Sequence, residues 1–280
     1  MLVLKSISDV KKEIKKYKKQ ELKIGLVPTM GALHEGHESL IKAAVDSCDV
    51  VVVSIFVNPI QFGPGEDYER YPRTLDKDIK VCEKYGVDLI FAPQPSDMYD
   101  YDKQHMTLVV PPECLRAKLC GKSRTQHFDG VDTVVLKLFN ITEADEAFFG
   151  LKDAQQCVII KRMCDDLNVN IKLNFCPIIR EDDGLAKSSR NTYLSEEGRK
   201  KALALSKALN SVKKLYEDGV VSIEEIKEKV MPELSKSADV EYFEFCSFKD
   251  LSPVMFLSNN TLVALAARVE GVRLIDNIVL

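Results

Sequence analysis

Two of the chain's four histidines, His34 and His37, stand three residues apart in PTMGALHEGH (28–37), directly after the apolar run KIGLV. A strand that ends, turns on glycines and enters a helix directs unpaired backbone N–H groups and the positive end of the helix dipole at one place, which favours anions. Imidazoles on such a turn can donate to phosphate oxygens and stabilise charge that develops in phosphoryl or nucleotidyl transfer. Gly36 removes a side chain where a phosphate or a base would approach closely. Metal ligation would require a third ligand, and neither an HExxH pattern nor a nearby cysteine supplies one. General bases and core or capping histidines are the remaining alternatives.

Other clusters offer compatible chemistry. GLAKSSRN (184–191) gathers Lys187, Ser188, Ser189 and Arg190, a dense set of donors suited to the outer phosphates of a nucleotide or, more plainly, to a polar linker. NPIQFG (58–63) and FFGLKDAQQ (148–156) contribute Gln61 and Gln156, which donate and accept, as a small hydroxy acid requires. Lys152 follows a strand end where a cation reaches phosphate, and Asp153 either caps the next helix or holds ribose hydroxyls. In SRTQHFDGV (123–131), His127 and Arg124 either touch phosphate or order a loop. The segment FGPGEDYERYPRT (62–74) is a lid or an ordered connection.

These clusters need a scaffold, and the hydrophobic pattern describes one. Residues 23–28 read as a buried strand, 37–48 as a helix, 50–59 as a β-branched central parallel strand, 74–86 as a helix and 88–93 as a strand. Residues 131–142 are helix or strand, because periodicity does not separate the two. Strand 146–150, helix 153–167 and strand 170–179 follow. The alternation predicts a Rossmann-like α/β fold, a doubly wound parallel sheet whose ligands bind at the carboxyl ends of the strands. After about residue 177 the texture changes to two helices (196–216 and 223–234) and three strand-like runs. The expected division is 1–176 for the nucleotide-binding domain and 177–280 for a smaller α+β domain that closes over the phosphates.

Whole-chain properties narrow the class. A net charge of −4 and a pI near 5.7 argue against a broad nucleic-acid surface. No stretch approaches the ~20 apolar residues of a membrane span, and the N-terminus lacks a signal-peptide core. Lysines dominate residues 9–19, consistent with an amphipathic helix that turns Val10, Ile14 and Tyr17 inward. The eight cysteines form no CxxC pair and read as small core residues of a cytoplasmic protein.

The histidine turn paired with the distant KSSR loop resembles the HIGH and KMSKS signatures of the α/β nucleotidyltransferase superfamily. More specifically, GLVPTMGALHEGH, VVVVSIFVNPIQFG, YPRTLDKD, HFDGV, KLFN, FFGLKDAQQ, DGLAKSSRN and RLIDN occur in the order of the pantoate–β-alanine ligase (pantothenate synthetase) family. The resemblance implies an enzyme that activates pantoate with ATP as an adenylate and then passes the acyl group to β-alanine, releasing AMP and pyrophosphate. It implies ATP contacts by Met30, Gly31, Ala32, Leu33, His34, Glu35, Gly36 and His37, with His37 as proton donor and His34 aiding phosphate binding. It further implies ribose and phosphate contacts by Gly150, Leu151, Lys152 and Asp153, an adenine contact through the Ile179 backbone, and phosphate contacts by Lys187, Ser188, Ser189 and Arg190. Gln61 and Gln156 would grip pantoate, and Gln61 would also meet β-alanine. Mg²⁺ would travel on the phosphates, with Asp78 a candidate for a water-mediated contact. A cytoplasmic homodimer is implied, with no nucleic acid or membrane partner.

Leu151, Lys187 and the Thr125–Gln126 pair depart from the family pattern, which bears on loop geometry and ATP affinity. The alternatives are another small-molecule nucleotidyltransferase and a non-enzymatic nucleotide-binding protein.

Overall fold

The computed structural model of the chain describes residues 1–99 and 105–280. The elements run β1 (Leu2–Leu4), α1 (Ile7–Lys19), β2 (Ile24–Thr29), α2 (Glu35–Val45), β3 (Val50–Ile55), α3 (Leu75–Tyr85), β4 (Leu89–Phe91), α4 (Pro95–Met98), α5 (Glu113–Arg116), α6 (Cys120–Ser123) and α7 (His127–Thr142). They continue with β5 (Glu146–Gly150), α8 (Ala154–Asp166), β6 (Lys172–Cys176), α9 (Glu196–Glu217), α10 (Ile223–Ser237), β7 (Asp239–Ser247), β8 (Thr261–Val269) and β9 (Val272–Val279). Short 3₁₀ turns cover Pro59–Gln61, Leu151–Asp153 and Ser189–Tyr193.

Two compact units result. The first comprises Met1–Ala117, Gly121–Leu151 and Ile159–Pro177, and the second Lys118–Cys120, Lys152–Val158 and Ile178–Leu280. The units interleave in sequence, whereas the sequence reading expects one cut after residue 176.

The first unit is built on a six-stranded sheet of order β1-β4-β3-β2-β5-β6, every neighbouring pair parallel. Val50 to Val53 are all buried, as strands covered on both faces must be. On one face α2 and α3 pack together, burying Leu40, Ile41, Ala44 and Cys82 with Val27, Val51, Val53 and Ile90 of the sheet. α1 packs on α7, which also contacts β2. The chain builds outward from β2 through β3 to β4, then returns to the other side of β2 with β5. The carboxyl end of β2 is therefore the topological switch point, where such sheets bind ligands.

Several local outcomes differ from the pattern reading. Residues 131–142 are helical, inside an α7 whose buried residues run almost continuously from Phe128 to Thr142. Burial around the whole helix removes the 3.6-residue stripe that would have identified it. β3 ends at Ile55, because Pro59 starts a 3₁₀ turn in place of more strand. α2 begins at Glu35, two residues early, and β1 is a strand that the pattern reading does not contain.

The second unit sets β7-β8-β9, an antiparallel sheet, against α9 and α10. Val263, Leu265, Ala267 and Val269 alternate along β8 and join Leu205, Leu209, Val212, Ile226 and Val230 of the helices in one core. Among the described residues no helix is long and apolar enough to cross a membrane. All eight cysteines are free thiols, and five of them are buried.

Candidate active site

The turn after β2 is held from two sides. The Gly31 amide donates to Thr29 Oγ1 at 3.1 Å. The Ala32 and Leu33 amides donate to the two carboxylate oxygens of Asp78, at 3.0 and 2.8 Å. Thr74 Oγ1 adds a third bond to that carboxylate at 3.2 Å, and Asp78 is 2 % exposed. The turn needs this support because Gly31 and Ala32 both take positive φ, +81° and +50°, and the alanine bears a steric cost there. Asp78, a candidate for a metal-bound water contact in the sequence, thus has both oxygens committed to the turn.

His34 is the N-cap of α2. Its Nδ1 accepts from the Gly36 amide at 3.2 Å, while Nδ1 of His37 accepts from the His34 amide at 3.3 Å, a reciprocal capping box built from two imidazoles. The rings lie 4.1 Å apart. A nitrogen that accepts from an amide cannot also carry the ring proton, so both neutral rings bear it on Nε2. The capping alternative and the phosphate alternative are therefore compatible: Nδ1 serves the helix while Nε2–H is a donor. Glu35, the first residue of α2, is exposed, and Met30 is half-buried.

Gln61 sits in the Pro59–Gln61 turn, 9 % exposed. Its Nε2 donates to Met30 Sδ at 3.2 Å, tying it to the β2 turn. Its Oε1 accepts from Asn58 Nδ2 at 3.0 Å. Asn58, 1 % exposed, also donates to the Gly130 carbonyl and accepts from the Tyr99 hydroxyl at 2.8 Å. The Gln61 carbonyl accepts from His127 Nδ1 at 2.8 Å, and Arg124 donates to His127 Nε2 at 3.0 Å. Arg124 in turn donates two parallel hydrogen bonds to the Glu66 carboxylate. Burial opposes ionisation of Glu66, but the Arg124 guanidinium outweighs it and holds the carboxyl below its ordinary range. His127 and Arg124 thus order a loop, one of the two roles their spacing suggests, and residues 62–74 are tied down through Glu66.

Gly130 explains the glycine of HFDGV. A Cβ there would stand 2.5 Å from the Ile60 carbonyl oxygen and 2.7 Å from Gln61 Cα, so only glycine lets α7 approach the Gln61 turn. Asn58, Tyr99 and Gly130 escape sequence reasoning as functional residues. The one available signal was the polar Asn58 directly after a long β-branched run.

Of the adjacent glutamines Gln155 and Gln156, Gln155 is structural. Its amide accepts from the Cys120 amide at 2.9 Å and donates to the Lys118 carbonyl at 2.7 Å. Its neighbour Gln156, the residue expected to bind ligand, is half-buried in the first turn of α8. Gly150 ends β5, and beyond its chain neighbours no heavy atom of the described residues lies within 4 Å of where its Cβ would stand. Leu151, Lys152 and Asp153 form the 3₁₀ turn that follows. Among the described residues the Lys152 ammonium has no ion-pair partner, and Asp153 is exposed.

The KSSR segment lies on a hairpin. The Ile179 carbonyl accepts from the Lys187 amide at 2.9 Å, and Arg180 bridges Ala186. Lys187 Nζ lies 3.3 Å from Glu181 Oε2, so its charge is answered by a carboxylate. Ser188 caps the Ser189–Tyr193 turn by accepting from the Arg190 amide. Among the described residues no group of three or more His, Cys, Asp or Glu is placed to hold a metal ion.

The family model described as pantoate-beta-alanine ligase matches residues 2–279. The chain is 50 % identical to pantothenate synthetase of Clostridium novyi over 100 % of its own length and 98 % of the relative's. It is 52 % identical to that of Clostridium acetobutylicum over 99 % and 98 %. Among solved structures, pantothenate synthetase from Thermus thermophilus superposes with a TM-score of 0.93 at 37 % identity, covering 99 % of each chain. The pantoate-beta-alanine ligase from Francisella tularensis, solved with beta-gamma ATP and beta-alanine, superposes at 0.83 with 37 % identity, covering 100 % of this chain and 97 % of that one. With its switch-point histidine turn, its anchored glutamine and this full-length match, the chain belongs to the pantoate–β-alanine ligase family.

Proposed function

We propose that the protein condenses pantoate with β-alanine to pantothenate at the expense of ATP. The observation that carries the reading is the full-length likeness to the Francisella ligase solved with beta-gamma ATP and beta-alanine. A pantoate carboxylate oxygen attacks the α-phosphorus, and the bond to the bridging oxygen breaks, releasing pyrophosphate. The β-alanine amine then attacks the acyl carbon of the adenylate, the acyl–oxygen bond breaks, and AMP leaves as an amine proton is lost. A carboxylate alone is a poor acyl donor; the adenylate supplies the leaving group.

The family resemblance assigns specific roles. His34 and His37 present Nε2–H donors and steady the charge that grows on the phosphates, an electrostatic role in a fixed frame. Met30, Gly31, Ala32, Leu33, Glu35 and Gly36 complete the turn beside them. Lys152, Ser188, Ser189 and Arg190 bind phosphates. Lys187 contributes less than its charge suggests, because Glu181 answers it. Gly150, Leu151 and Asp153 take the ribose, and Ile179 takes adenine through its backbone. Gln61 grips pantoate and meets β-alanine, with Gln156 as the second pantoate contact. Mg²⁺ arrives on the ATP phosphates.

The test is AMP and pantothenate formation from ATP, Mg²⁺, pantoate and β-alanine. AMP release that depends on both acids is expected; AMP release without that dependence refutes the reading. A cytoplasmic homodimer completes the proposal, checked by light scattering for a mass near twice 31.5 kDa.

A further inference from the structure

RLIDN (273–277) ends with two adjacent buried polar residues in β9. Asp276 and Asn277 are 2 % and 4 % exposed, and their cross-strand neighbours in β8 are Leu265 and Ala264. Consecutive strand residues project to opposite faces, so no single polar environment receives both. Burying them is costly unless each is bonded: Asp276 Oδ1 accepts from the Asn277 amide at 2.8 Å within β9, and each side chain also bonds a segment outside the sheet.

Asp276 accepts both arms of the Arg180 guanidinium, at 2.7 and 3.0 Å. The same guanidinium donates to the Gly184 carbonyl at 3.1 Å. It thereby closes the hairpin in which the Glu181 amide bonds the Leu185 carbonyl and the Lys187 amide bonds the Ile179 carbonyl. Asn191 extends the frame into the serine turn by donating to the Ala186 carbonyl at 3.1 Å. Asn277 Nδ2 donates to the Lys152 carbonyl at 2.9 Å. Adjacent residues of β9 thus grip the two segments that carry the cationic groups.

We propose that Asp276 and Asn277 are positioning residues for adenylation, setting the Ile179–Lys187 hairpin and the Lys152 backbone in one common frame. The proposal rests on the reading that Lys152 and the Lys187–Arg190 segment hold ATP's phosphates. A guanidinium–carboxylate pair has a fixed fork geometry, so it fixes direction as well as distance. A phosphate-binding cation displaced by about 1 Å loses on the order of a hundredfold in rate, which gives such anchoring a kinetic consequence.

The test compares Asn277→Asp, Asp276→Asn and Asp276→Glu with Lys152→Ala and Arg190→Ala. Pyrophosphate release is measured at varied ATP and at varied pantoate. β-Alanine-dependent AMP release from supplied pantoyl adenylate is measured separately, and thermal midpoints are recorded. Asn277→Asp and Asp276→Asn should lower kcat/KM for ATP about tenfold or more, the scale of a lost buried hydrogen bond. The pantoate KM and the second half-reaction should stay within about twofold. Asp276→Glu, which keeps the charge, should recover part of the loss.

Unchanged ATP kinetics in the β9 variants, with Lys152→Ala and Arg190→Ala impaired, overturns the positioning role and leaves the phosphate reading standing. Equal losses in both half-reactions make the two residues merely structural and also overturn it. Unchanged ATP kinetics in the lysine and arginine variants overturns the phosphate reading, and the proposal with it. Should Asp276→Asn fail to fold, Asn277→Asp and Asp276→Glu decide the matter alone.

Discussion

Replacing Asp78 by asparagine changes one oxygen to an amide nitrogen and removes one charge. Oδ1 receives two donors, Leu33 N and Thr74 Oγ1, so the asparagine oxygen takes that position. The new NH₂ then faces the Ala32 amide, whose nitrogen stands 3.0 Å from the present Oδ2. One charge-assisted bond worth roughly 1.5–3 kcal/mol is lost, and two buried donors are left opposed at about 1–3 kcal/mol. Ala32 also loses what offsets its left-handed backbone, about 1 kcal/mol. Allowing for relaxation, the net cost is ~3 kcal/mol, or roughly 6–12 °C in thermal midpoint for a unit of this size. The turn would shift with its histidines, so pyrophosphate release should fall on the order of a hundredfold. Calorimetry and a pyrophosphate-release assay at several Mg²⁺ concentrations measure both effects. Extra Mg²⁺ should restore nothing. A midpoint within about 2 °C of the parent, or rescue by Mg²⁺, would refute the turn-holding role and return Asp78 to the metal.

His34→Ala should cost ~1 kcal/mol in thermal stability through the lost cap. His34→Asn should restore that stability and leave adenylation impaired by at least about a hundredfold; full activity in the asparagine variant would show that capping is the whole role. Gly130→Ala should destabilise by roughly 1–3 kcal/mol and raise the pantoate KM, because the added methyl meets the Ile60 carbonyl and Gln61 Cα; an unchanged melting curve contradicts the close approach. Asp132 has neither carboxylate oxygen bonded, and burial, with Asp129 adding to it, pushes its carboxyl up to about 8. The folded chain therefore holds a proton that the unfolded chain releases above the ordinary value of 3.8, and stability falls as pH climbs toward about 8. Asp132→Asn should flatten that decline between about pH 5 and pH 8; parallel melting-point profiles for the two proteins would exclude it.

Much of this was legible in sequence where burial and polarity alternate cleanly. β2, β3 and β5 are apolar runs closed by turn residues, and α9 and α10 show the amphipathic spacing of helices docked on a sheet. The histidine turn at the end of β2 follows from the same pattern. Three kinds of feature did not. β1 is three residues long and owes its existence to pairing with β4, whose Leu89 stands opposite Leu2 in register. α7 is apolar on nearly every side, which erases periodicity. The roles of Asp78 and of the Asp276–Asn277 pair depend on bonds to distant segments, several of them to backbone, and a backbone amide leaves no trace in residue type. The histidine caps stood in the sequence only as one alternative among several, because histidine is not among the residues favoured at an N-cap.

The imidazole cap also bears on the proton inventory of the reaction. A neutral imidazole owns one basic lone pair. In His34 and His37 that pair is committed to a backbone amide while the cap holds. Protonating either ring at Nδ1 would break that cap bond, at a cost of about 1 kcal/mol, whereas amide formation must release a proton from β-alanine nitrogen. The acceptor is therefore to be sought on the reactants, and the phosphate departing with AMP has basic oxygens close to the acyl carbon under attack. A base that travels with the leaving group would spare the helix end any change of protonation during turnover.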